Sequence, residues 1–102
     1  MMNKDDEVAR IGQVVRQVQE SIGQERKQHT SDDAWLEVLM TEMAGALCDD
    51  YGITRVEALI TLREEVSLNE NPVPLMEELV LRHRLAKRLG DTEEIRDALN
   101  SI

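Results

Sequence analysis

Residues 8–22, VARIGQVVRQVQESI, set Val8, Ile11, Val15, Val18 and Ile22 three and four residues apart, with polar or small residues between them apart from Val14. That period places five aliphatic side chains in one narrow line along a helix. The pattern predicts a first helix from about Asp5 to Lys27, roughly 33 Å long at ~1.5 Å per residue. Asp5, Asp6 and Glu7 in its first turn and Arg26 and Lys27 in its last complement the helix dipole. The seam fits a heptad, with Val8, Val15 and Ile22 at a and Ile11 and Val18 at d. So narrow a stripe fits a helix that meets one or two others lengthwise, either within the chain or across a homodimer. The length of the helix favours the dimer.

Four further helices follow. Thr30 is the expected N-cap of the second, with Asp33 at N3. Its inner face is Leu36, Leu39, Met40, Met43 and Leu47, and Gly52 ends it where a left-handed residue is wanted. Thr54 caps the third, with Glu57 at N3 and Ile53 placed to staple onto Ala58. Val56, Leu59, Ile60, Leu62 and Val66 supply its apolar side. SLNENPVP breaks the pattern, and a fourth helix runs from about Pro74 to Leu89 and stops at Gly90. Its aliphatic residues cover more than half its circumference, as expected of a helix contacted on several sides. Asp91 and Glu94 open a short fifth helix carrying Ile95, Ala98, Leu99 and Ile102. The expectation is an all-α, compact bundle of about five helices in a single domain spanning 1–102, with a long amphipathic N-terminal helix (about 5–27) and a helical core (about 31–102).

Composition agrees with that reading. The 102 residues include no Phe, one Trp and one Tyr, so the core is aliphatic. Five Gly and two Pro are too few for a many-turned β fold. A single cysteine, Cys48, allows no internal disulfide and suggests a reducing cytoplasm. No apolar run approaches membrane-spanning length. Net charge is −9, and it is concentrated: residues 30–80 hold twelve acidic side chains against only Arg55 and Arg63. That field repels phosphate backbones and attracts basic protein surfaces.

Catalytic and metal chemistry leave little trace. His29 and His83 belong to no HExxH pair, Cys48 has no cysteine nearby, and neither GxGxxG nor a P-loop occurs. The doublets Asp32/Asp33, Asp49/Asp50, Glu64/Glu65 and Glu77/Glu78 point about 100° apart on a helix and do not converge. No catalytic residue, cofactor or metal is expected.

Residues 47–65, LCDDYGITRVEALITLREE, resemble a bacterial helix-turn-helix over about a fifth of the chain. Cys48 stands at the small-residue position, Gly52 in the turn and Ile53 after it, and Thr54 and Arg55 open what would be the recognition helix. The resemblance implies a transcriptional regulator that binds DNA through this segment. Its own charges oppose that role, because Glu57, Glu64 and Glu65 accompany Arg55 and Arg63.

Two charged surfaces remain. Asp49, Asp50, Glu64 and Glu65 stand at helix C-termini, the unfavourable end of the dipole. With Glu37, Glu42 and Glu57 they form a candidate acidic face for a basic partner, or one that imitates nucleic acid in an inhibitor. Arg84, Lys87 and Arg88 form a possible basic patch, while Arg82 is placed to pair with Glu78. The sequence thus predicts a small, acidic, cytoplasmic protein-interaction module acting as adaptor, chaperone-like escort or inhibitor. Another protein is the expected partner, in preference to nucleic acid or membrane. Homodimerisation is expected through Val8, Ile11, Val15, Val18 and Ile22.

Overall fold

The computed structural model describes the backbone of residues 4–90 and the side chains of residues 6–90. Within these limits the chain is all-helical: α1 (Lys4–Arg26), α2 (Asp32–Tyr51), α3 (Arg55–Ser67) and α4 (Pro72–Leu89). The fifth helix read from the sequence lies outside the described residues. None of the described helices is long and apolar enough to cross a membrane.

Local chemistry sets the ends. Ser31, not Thr30, caps α2: its hydroxyl accepts a hydrogen bond from the Ala34 N–H at 3.1 Å. The two residues are chemically equivalent as caps, and the backbone decides, since Ser31 has the extended conformation a cap requires. Gly52 terminates α2 with φ +67°, and its N–H donates to the Cys48 carbonyl at 3.0 Å. Any side chain there would meet the steric cost of the left-handed region. Thr54 caps α3 by accepting from the Glu57 N–H. α4 opens at Pro72, where the missing N–H costs nothing, and ends at Gly90.

The helices pack mainly in the spatial order α1, α4, α2, α3. α4 therefore sits between α1 and α2, which explains its broad apolar surface: Val73, Met76, Val80 and Leu85 are buried, Met76 and Val80 completely. Trp35, Leu39, Met40 and Ala44 bring α2 into the same core, and Ala58 and Leu62 bring in α3. α1 runs antiparallel to α4, with Gln17 beside Arg88 and Arg26 beside Glu77.

The α1 seam is consumed within the chain. Ile11, Val15, Val18 and Ile22 are all buried in the common core, and only Val8, 45% exposed, is left out. Four of the five residues expected at a dimer seam are therefore covered by the chain's own helices. Apolar surface already removed from water has no further transfer energy to offer a second subunit. The stripe is narrow because α1 packs chiefly against one neighbour, α4.

Ile22→Ala should therefore destabilise the isolated chain by about 2–5 kcal/mol, whereas Val8→Ala should change stability by less than about 0.5 kcal/mol. Urea unfolding at two protein concentrations tests both; a midpoint that rose with concentration would restore the dimer.

Candidate functional site

Three side chains from three helices meet at Arg84. Its Nε and Nη2 donate to Glu42 Oε2 and Oε1 at 2.8 and 2.7 Å, a bidentate fork. Its Nη1 and Nη2 also donate to Glu25, the latter at 3.2 Å. One guanidinium from α4 thereby ties α1 to α2. The hydrogen bonds from Arg84 hold the Glu42 carboxyl below its ordinary value of 4.5 against the opposing effect of burial, and the charges of Arg84, His83 and Lys87 add to the lowering. The two carboxylates in turn push the Arg84 guanidinium further above its usual value, Glu42 foremost.

A second polar cluster stands two turns earlier on α4, against the same C-terminal end of α1. Glu77 accepts from the indole N–H of buried Trp35 at 3.3 Å and pairs with Arg26, which also reaches Asp32. The His29 ring lies 5.5 Å from that of Trp35. Both clusters are structural joints, built from partners that satisfy one another.

These contacts redraw both surfaces expected from the sequence. Arg84 is taken up by Glu25 and Glu42, so it leaves the basic patch. Lys87 and Arg88 remain exposed, and Arg88 donates to Gln17 at 3.3 Å. Glu42 likewise leaves the acidic face, because it is half-buried and turned toward α4. Glu37 pairs with Arg63 across α2 and α3 at 3.5 Å. Asp49, Asp50, Glu57, Glu64 and Glu65 stay exposed, and among the described residues their side chains make no hydrogen bond or ion pair. Arg82 pairs with Glu78 at 3.1 Å, as the spacing predicts.

The largest departure from the sequence reading is in α3. The sequence pattern puts Val56 and Ile60 on its inner side together with Leu59, Leu62 and Val66. They are instead 66% and 53% exposed, while Ala58 and Leu62 are buried. The reason is that α3 packs chiefly on α2 and can bury only one stripe. Ala58, Leu62 and the half-buried Leu59 and Val66 fill that stripe. Val56 and Ile60 fall on the far side, on a row continued at the same four-residue step by Glu64 and Leu68. Leu68, the C-cap, keeps helical φ and ψ and is 79% exposed. Tyr51, at the end of α2 just before the turn, is 74% exposed. Neither Tyr51 nor Leu68 stands out in the sequence pattern; the four-residue step from 56 to 68 is the available signal.

α2, the turn at 52–54 and α3 have the connectivity of the helix-turn-helix resemblance. The cations such a motif would turn to DNA are otherwise placed. Arg63 pairs with Glu37, and the Arg55 guanidinium lies against Gly45, 4.0 Å from where a Cβ would stand. Among the described residues no group of three or more His, Cys, Asp and Glu side chains is placed to hold a metal ion. Compared with protein-family models, curated proteins and solved structures, the chain matches none.

Removing the guanidinium in Arg84→Met leaves two half-buried carboxylates facing one another, at a cost of about 1–3 kcal/mol at neutral pH, the lower part of the range reflecting solvent screening. Because the folded Glu42 value lies below the ordinary one, its contribution is present above pH 4.5 and is lost as pH falls through the depressed value. Wild-type stability should fall with acid over that window. In Arg84→Met the sign for this site reverses, since protonation then relieves repulsion. Urea unfolding between neutral and acid pH reads both slopes.

Neither α2 nor α3 has a basic residue in its last turn. Neutralising Asp50→Asn or Glu64→Gln should accordingly raise the thermal midpoint, a gain that a purely solubilising charge would not give.

Proposed function

We propose that this chain is a non-catalytic protein-interaction module, an adaptor, escort or inhibitor, that engages another protein through the outer face of α3 and the adjoining end of α2. One observation carries the reading: Val56 and Ile60 are exposed on a helix whose opposite side is already packed. β-branched residues are poor choices for a solvent-facing helical position, where straight-chain residues lose less rotamer freedom. Burial in a partner would supply the compensation. The carboxylates around the pair fit the polar rim of an interface with an apolar centre.

The contrast with α1 supports this reading. α1 is also a peripheral helix, yet its outward positions include Arg10, Gln13, Arg16, Glu20 and Gln24. Past Val8 it exposes no large aliphatic residue to a comparable degree. Among the described residues the exposed apolar row is thus found on α3 and not on α1, the other outer helix. The exposed carboxylates of α3 favour a protein over DNA, because they repel phosphate. They also fit an inhibitor that presents carboxylates where its target expects phosphates, with the apolar row as the anchor.

A photo-crosslinkable residue at position 60, expressed in the native host, should trap a discrete partner, and the same residue at position 16 should not. Glu57→Lys with Glu64→Lys should abolish the adduct. Equal trapping from both positions, or retardation of genomic DNA by the full chain at low salt, would overturn the reading.

A further inference from the structure

We infer that the partner element is a basic amphipathic helix, laid across α3 so that its aliphatic row interlocks with the ridge formed by Val56, Ile60, Glu64 and Leu68. This rests on the interaction reading above and specifies the chemistry of the occupant. Residues separated by four form one of the natural ridges of a helix surface, and such a ridge packs into the groove between two equivalent ridges on a second helix, at about −50°. At this ridge the apolar members Val56 and Ile60 stand one turn apart in the N-terminal half of α3, and Leu68 closes the far end. α3 has 13 residues, so the ridge runs roughly 20 Å, the length of about four turns of a partner helix.

Charge selects the sign of that helix. Glu64 lies within the ridge, and Glu57 and Glu65 begin and end the next row around the helix, with Thr61 between them. Among the described residues the three carboxylates have no cationic partner, so an incoming helix meets them unneutralised. The cation nearest in sequence, Arg63, is paired with Glu37 on α2. A second copy presenting the same α3 face would bring Glu64 and its neighbours against their own kind. A helix carrying Lys or Arg beside its aliphatic row supplies opposite charge at each of these positions.

Three synthetic peptides of about 18 residues test the inference against the full chain. The first is a helix with Leu every fourth residue flanked by Lys and Arg. The second has the same composition scrambled, so that charge is kept and the apolar row is lost. The third keeps the row but carries Glu in place of Lys and Arg. Binding is read by calorimetry and by amide chemical-shift changes. The first peptide should bind saturably, with shifts confined to α3 and the turn at 52–54, and should weaken as salt rises. Val56→Ser with Ile60→Ser should weaken it about tenfold or more, as should Glu57→Lys with Glu64→Lys, and circular dichroism should show both variants folded.

Equal binding of the scrambled peptide, shifts centred away from α3, or no saturable binding by the first peptide would overturn the helix-docking inference. Tighter binding of the acidic peptide at α3 would overturn its basic character while leaving α3 as an interaction surface. That last result separates failure of the inference from failure of the proposed function, which is decided by position-specific crosslinking.

Discussion

The fold depends on α4 being covered on two sides at once. A helix placed between α1 and α2 needs aliphatic residues around more than half its circumference, and Met76 and Val80 at its centre are completely buried. Polar residues on such a helix must find partners across the contact or pay for desolvation. Arg84 and Glu77 occupy these restricted positions. Arg84 is satisfied by Glu25 and Glu42, and Glu77 by the Trp35 indole and Arg26. Both clusters join all three helices in space, so they fix the alignment of α1 and α2 along α4 as well as satisfying charge. Removing one partner leaves the other half-buried and unpaired, which is more costly than never having had the pair.

That arrangement leaves two helices on the outside. α1 closes one flank and α3 the other, and each packs chiefly against a single neighbour. α1 has the composition expected of that position: one thin aliphatic line inward and polar side chains outward. α3 has aliphatic residues on both sides. Its inner stripe, with Ala58 completely buried, approaches α2 closely, and its outer ridge stands in water. The same hairpin carries uncompensated carboxylates at the C-terminal ends of α2 and α3, where cations would be the stabilising choice. Two departures from local stability rules thus fall on one hairpin, which is the pattern expected where a surface has been shaped for contact.

The placement of charge changes meaning once the pairs are known. Taken as a total, the chain is simply acidic. In the structure, Glu25, Glu42 and Glu77 face inward toward cations, and Glu37 is bridged to Arg63. Among the described residues, the unpaired negative charge near the α2–α3 turn and on α3 collects at Asp49, Asp50, Glu57, Glu64 and Glu65. The basic residues divide in the same way: Arg84 serves the joint between helices, and Lys87 and Arg88 stay at the surface.

The helical class, the Gly52, Thr54 and Gly90 boundaries and the broad apolar arc of α4 were legible in the sequence, because they follow from neighbours a few residues apart; α4 begins at Pro72, two residues before the expected Pro74. Gly52, Thr54 and Gly90 act through local backbone geometry, and the breadth of the α4 apolar arc is a property of that segment alone. Choosing Ser31 over Thr30 as a cap needed the backbone angles. What covers the α1 seam, which carboxylates Arg84 takes, and which side of α3 faces inward depend on contacts between residues dozens of positions apart. Periodicity shows that an aliphatic line will be buried but not against what, so four seam residues went to α4 and not to a second subunit. It could not choose between two apolar stripes on α3 either: that was decided by α2, which offers α3 one packing surface and leaves Val56 and Ile60 on the other side.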